Sequence, residues 1–212
     1  RQIKKLATLG FVAVSAEYRL APEHRFPKAI EDIKLAMRFL KANAKRYHIN
    51  PERIIVSGSS AGSYLAVMVG VTGNAEGFSD YGLYTEFDDT VRAVAAQSAP
   101  IGNYTLEKYR NTAAVKRLLG DEGKVNLRSL TAMSPVTYLD SNDPPLFLSH
   151  GDQDSIVPVD MSREFVKQLD RLGLQYHYHE VEGGTHSLSK SAPQQAREVF
   201  KHYIQFLITW AR

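Results

Sequence analysis

The sequence predicts an α/β fold: a mostly parallel sheet of about five or more strands with helices on both faces. Two observations predict it. Short apolar or alternating runs, each the length of a strand, take turns along the chain with longer stretches of helical period. That alternation of strand and helix points to a mainly parallel sheet covered on both faces. At 212 residues and 43% hydrophobic content, the chain can bury a sizeable core without disulfide or metal staples. Residues 1–212 are therefore expected to form one domain.

Taken in order, the first strand is expected at Phe11 to Ala16. A helix follows from about Pro27 to Tyr47, where Ala29, Ile30, Ile33, Met37 and Leu40 recur at helical spacing and Lys34, Arg38 and Lys41 lie on the other side. Ile54 to Ser57 reads as a strand that runs straight into a helix at Ala61 to Val71. Val91 to Gln97, Leu146 to Ser149 and Tyr176 to Val181 complete the strands. Helices at Asp160 to Leu172 and Pro193 to Trp210 open on a capping acid and on a first-turn proline. Two irregular stretches remain: Gly73 to Asp89, rich in Gly, Asp and aromatics, and Gly102 to Leu130, with a short helix near Thr112 to Leu119. Both follow strand ends, where the loops of an open α/β sheet line a ligand crevice, so substrate binding is expected of them beside a purely scaffolding part.

Composition removes several classes of function. The pI is near 9.0, but the formal net charge is only +3, and the basic residues are interleaved with acids along helix-like segments. That pattern reads as solvated helix faces and not as a nucleic-acid footprint. No apolar stretch approaches the roughly 18 to 20 residues of a membrane-crossing helix. With no cysteine there is no disulfide framework, thiol nucleophile or thiolate metal ligand.

The chemistry starts at "RIIVSGSSAGSYLAVM", Arg53 to Met68. A nucleophile on a tight strand-to-helix turn needs small neighbours two residues away on either side, because the backbone reverses there, and Gly58 and Gly62 meet that need around Ser60. A serine hydroxyl is a weak nucleophile until a base takes its proton, so a histidine and an acid are expected downstream in the order serine, acid, histidine. "LFLSHGDQDSIVP" supplies Asp152 and Asp154 after a strand, and "HEVEGGTHSLS" supplies His186 after the last one. His177 and His179 alternate within a strand, His48 and His202 lie on or beside helices, and His24 precedes the serine; His186, behind Gly183 and Gly184, is the preferred base. Asp154 is preferred as the acid over Asp152, which sits next to Gly151 and reads as a turn residue.

At these residues the sequence resembles the α/β-hydrolase family, and within it the hormone-sensitive-lipase-like carboxylesterases together with bacterial acetyl and feruloyl esterases. The likeness is carried by "YRLAPEHRFPKAIED", "GSSAGSYLA", "SPVTYLDSNDPPLFLSHGDQDSIVPV" and "GGTHS". The resemblance implies Ser60 as nucleophile, Asp154 as acid and His186 as base. It also implies an oxyanion hole in which Ala61, the residue after the nucleophile, gives one N–H. The family's second donor comes from an H-G-G-G type loop ahead of the helix that precedes "GFVAVSAEYRL". This chain opens inside that helix, so the family's N-terminal strands and loop are expected to be lacking from it.

A sheet without the strand between Phe11–Ala16 and Ile54–Ser57 would carry an open gap, so either the Phe11 strand is expected to close up or a second chain to fill the edge, as a homodimer that completes the sheet. The function expected is that of a serine carboxylesterase acting on small acyl, acetyl-like or aryl esters, plant polysaccharides among the carriers. It needs no metal and no cofactor. Two other readings stand beside it: a peptidase of the prolyl-oligopeptidase type, and a non-catalytic binding module that kept the fold.

Overall fold

A computed structural model describes residues 2–73, 75, 77–79, 82–120 and 125–211. Among these residues the sheet has four strands, β1 (Ile55–Ser59), β2 (Ala93–Gln97), β3 (Leu146–Gly151) and β4 (Tyr176–Val181), all parallel and in the spatial order β1-β2-β3-β4. Each step to the next strand passes through at least one helix, as parallel neighbours require. The helices are α1 (Gln2–Thr8), α2 (Lys28–Ala42), α3 (Ala44–Tyr47), α4 (Ala61–Val71), α5 (Glu107–Arg110), α6 (Ala113–Leu119), α7 (Leu127–Ala132), α8 (Asp160–Leu172), α9 (Leu188–Ser191) and α10 (Pro193–Ala211). None of them is long and apolar enough to cross a membrane.

Alternation along the strands divides the core. Val94, Ala96, Leu146 and Leu148 face α4 and α8, where they meet Ala66, Val67, Phe165 and Leu169. Ala93, Ala95 and Phe147 face α10, through Tyr203, Phe206 and Leu207. Ile30, Ile33, Met37 and Leu40 of α2 pack on the outer side of α4 against Tyr64, Leu65, Met68 and Val69. α4 is therefore buried nearly all round, and its residues from Ser63 to Val71 are apolar or small for that reason.

The structure corrects three expectations. The long helix predicted from Pro27 to Tyr47 breaks at Asn43, which caps the end of α2 before the short α3. The strand predicted at Phe11 to Ala16 is absent: the segment runs without sheet pairing, and among the described residues the sheet has four strands where five or more were expected. A strand needs a hydrogen-bonding neighbour, and here a slot of about 740 Å³ lies between residues 11–16 and Ile55–Gly58 of β1. Val12 and Val14 are left more than half exposed. The segment is tied down further along, where the Arg19 guanidinium clasps the Asp32 carboxylate of α2 at 2.7–3.0 Å and the Arg19 N–H adds a bond of 2.8 Å.

The third correction concerns charge. Lys34, Arg38 and Lys41 are not on a solvated face but buried. Described residues of the stretch 73–89, read as either crevice lining or scaffold, lie on that side of α2, where Asp88 and Asp89 meet the cations. Lys34 Nζ lies 2.7 Å from Asp89 Oδ1 and 2.7 Å from the Thr72 carbonyl, Lys41 Nζ lies 2.5 Å from Asp88 Oδ1, and Arg38 donates to the Ser79 carbonyl. Burial pulls the Lys34 ammonium below the ordinary lysine value, although Asp89 opposes it. In the stretch 102–130, Tyr104, Tyr109, Val115, Leu119 and Leu130 join the same core, so much of it is scaffold.

Candidate active site

Ser60 stands at the junction of β1 and α4 with φ 54° and ψ −123°, a left-handed conformation that a non-glycine residue adopts at a cost of about 1–3 kcal/mol. The turn is held from both sides. Ser60 N–H donates to the Gln97 carbonyl at the end of β2 (2.9 Å), and the Ser60 carbonyl accepts from the Ser63 and Tyr64 N–H groups of α4. Backbone closure is tight on one side only. A Cβ on Gly58 would lie 2.2 Å from the carbonyl carbon and oxygen of Gly62, so residue 58 has to be glycine. A Cβ on Gly62 would meet nothing within 4 Å, which removes the symmetry expected of the two glycines.

The other two side chains come from loops after β3 and β4, brought together by direct backbone contact. A Cβ on Gly151 would sit 2.1 Å from the Gly184 carbonyl oxygen, so only glycine lets the two loops touch there. Asp152 N–H then donates to the Val181 carbonyl (3.1 Å) and Gln153 N–H to that of Gly184 (2.9 Å). This seam puts His186 between Ser60 and Asp154: Nε2 is 2.9 Å from Ser60 Oγ, and Nδ1 is 2.7 Å from Asp154 Oδ2. Ser98, itself at φ 50°, adds a long hydrogen bond (3.4 Å) from Oγ to the His186 carbonyl.

The tautomer follows from the partners. A carboxylate only accepts, so Nδ1 carries the proton and Nε2 is the acceptor facing the serine hydroxyl. Burial raises the Asp154 carboxyl, but hydrogen bonds from the Val157 N–H, from His186 and from the Ile156 N–H outweigh it and hold the group below the usual aspartate value. Asp154 is thus an anion with a buried side chain, whereas His186 is partly open to solvent. Asp152 stands in the turn with its N–H on the Val181 carbonyl, and the histidine's Nδ1 is met by Asp154. Ala61 opens α4 directly after Ser60, and the first N–H groups of a helix have no acceptor within it.

The remaining histidines lie elsewhere. His179 stacks on His202 of α10 (ring centroids 4.8 Å apart) and lies 5.1 Å from the Phe147 ring on the neighbouring strand β3, while His177 is exposed and meets the edge of Phe206. His48 caps α3. One histidine escaped the sequence reading: His150, fully buried at the end of β3 with Nε2 3.2 Å from Asp154 Oδ2. Its signal was its place in "SHGD", at the strand end next to the acid loop.

Known proteins are similar to this chain over most of its length. The family model BD-FAE matches residues 1–169. A protein of Mycobacterium tuberculosis named "Probable carboxylic ester hydrolase LipM" is 31% identical over 177 residues, covering 80% of this chain and 40% of that protein. The chain spans about half the length or less of three curated relatives it matches. Among solved structures, the bifunctional GH43-CE of Bacteroides eggerthii superposes over the whole chain and 29% of its own with a TM-score of 0.87 and 30% identity. The acetyl ester-xyloside bifunctional hydrolase from Caldicellulosiruptor lactoaceticus covers 91% of this chain and 69% of its own, with a TM-score of 0.78 and 26% identity.

Proposed function

The chain belongs to the BD-FAE family of α/β-hydrolase fold, and on that premise we propose that it is a serine carboxylesterase that transfers an acyl group to Ser60 and then to water. One observation carries the reading: a continuous pair of hydrogen bonds, 2.9 and 2.7 Å, running from a strained serine through a histidine to a buried, ionised aspartate. In the first half-reaction Ser60 Oγ attacks the ester carbonyl while His186 Nε2 takes its proton, and Asp154 stabilises the imidazolium. The oxygen of the tetrahedral intermediate gains its negative charge beside the Ala61 N–H. Collapse breaks the bond to the alcohol, which leaves with the proton from His186. Water then attacks the acyl-enzyme by the same route, and Ser60 recovers its hydrogen.

Small acyl groups, acetyl first, carried by sugars or aryl alcohols are the substrates we propose. Relatives named carbohydrate esterase and acetyl ester-xyloside hydrolase support that choice. The slot beside β1 supports a homodimer in which a second chain completes the sheet. The catalytic reading is tested with p-nitrophenyl acetate. Ser60→Ala is expected to lower kcat by about 1000-fold or more, and equal rates for the two proteins overturn it. Cleavage of peptides without cleavage of esters would turn the same site to a peptidase.

A further inference from the structure

Asp154 is touched by two histidines, and only one of them faces the serine. His150, at the end of β3, reaches the same carboxylate oxygen as His186, Oδ2, and has no exposed surface. Its ring nitrogens have unequal partners. Nε2 is 3.0 Å from the Val157 carbonyl and 3.2 Å from Asp154 Oδ2, while Nδ1 is 2.7 Å from Ser162 Oγ in the first turn of α8. A carbonyl and a carboxylate both only accept, so Nε2 carries the proton and Nδ1 accepts from the Ser162 hydroxyl. Burial lowers the His150 pKa against the pull of the Val157 carbonyl and of Asp154, in keeping with a neutral ring of this one tautomer.

Val157 is held at both ends by this arrangement. Its N–H donates to Asp154 Oδ1 (2.9 Å), and its carbonyl accepts from His150. The same carboxylate takes a second backbone bond from Ile156 N–H at Oδ1, leaving Oδ2 to the two histidines. We propose that His150 is a positioning residue: it braces the turn 154–157 against β3 and α8, and sets the positive edge of its Nε2–H against Oδ2, so that Asp154 presents that oxygen to His186 in one fixed orientation. This rests on the reading of Ser60, His186 and Asp154 as a catalytic line. It adds that the acid needs a fixed orientation as well as its charge, since misplacement of a catalytic group by about 1 Å can cost 100-fold in rate.

The experiment compares three substitutions in the full chain, with kcat and KM read on p-nitrophenyl acetate and the low-field proton resonance of His186 Nδ1–H read by NMR. His150→Phe fills the space without a donor and is expected to lower kcat about 100-fold, to leave KM within about two-fold, and to move or abolish the resonance. His150→Gln returns an N–H near the Nε2 position and is expected to recover most of both. A folded His150→Phe protein with wild-type kcat and an unmoved resonance overturns the proposal, as does a Gln variant no better than Phe. Where the Phe variant fails to fold, Gln against Asn decides: Asn places its amide near Nδ1, away from Asp154, and is expected to lose the rate and the resonance that Gln keeps. A wild-type protein inactive on every ester would remove the catalytic reading, and the resonance arm would still decide whether His150 sets the Asp154–His186 pair.

Discussion

Ser60 occupies a left-handed backbone conformation in which its hydroxyl projects from the strand-to-helix turn. Nothing intrinsic to serine favours this; the conformation persists because β2, α4 and two residues of opposite tolerance surround it. Gly58 lies so close to the Gly62 carbonyl that a methyl group cannot be placed there without moving the turn. Gly58→Ala is therefore expected to lower unfolding stability by about 3 kcal/mol or more, and to lower activity in whatever protein folds. At Gly62 a methyl meets nothing, and alanine suits a helix better than glycine does, so Gly62→Ala is expected to melt at or slightly above the wild-type temperature, within about 1 kcal/mol. Denaturant unfolding of the two variants checks this, and similar losses for both would show the asymmetry to be wrong. The need for small residues was legible in the sequence. Which glycine carries it was not, because the contact joins residues of different elements.

At the scale of the element, α2 shows how periodicity can be read correctly and assigned wrongly. Its apolar residues face α4 as the helical spacing implies, but the cations on the other face are buried as well, because the chain returns there at Asp88 and Asp89. Lys34 and Asp89 have almost no exposed side-chain surface. Removing one partner of such a pair leaves a buried charge without its counter-ion, so Asp89→Ala is expected to cost about 3–5 kcal/mol in urea unfolding. Lys201→Ala, which removes one end of the exposed pair with Glu198 on α10, is expected to cost under about 1 kcal/mol. Equal effects would mean that the buried pair contributes no more than a surface one. The charges were visible from the start, but their partners come 41 to 55 residues later, and no local pattern announces that return.

For the whole molecule, the sheet is paired from β1 to β4, and β1 has the slot on its outer side. Backbone groups on a strand edge and apolar side chains such as Val12 and Val14, both more than half exposed, favour pairing with further extended chain. Size-exclusion chromatography with light scattering is expected to give twice the 23.7 kDa chain mass, and a well-behaved monomer would count against the dimer. The sequence by itself determined the alternating α/β order, four of the strands, the serine turn and the residues that serve as partners in its line. These rest on local sterics and on periodic burial, which each segment carries within its own dozen residues. Only the tertiary structure decided that Phe11 to Ala16 stays unpaired, that the α2 cations are buried, and that His150 reaches the Asp154 carboxylate. Each depends on which distant segment arrives alongside, and side-chain pairing across such separations is set by the packing of the whole chain.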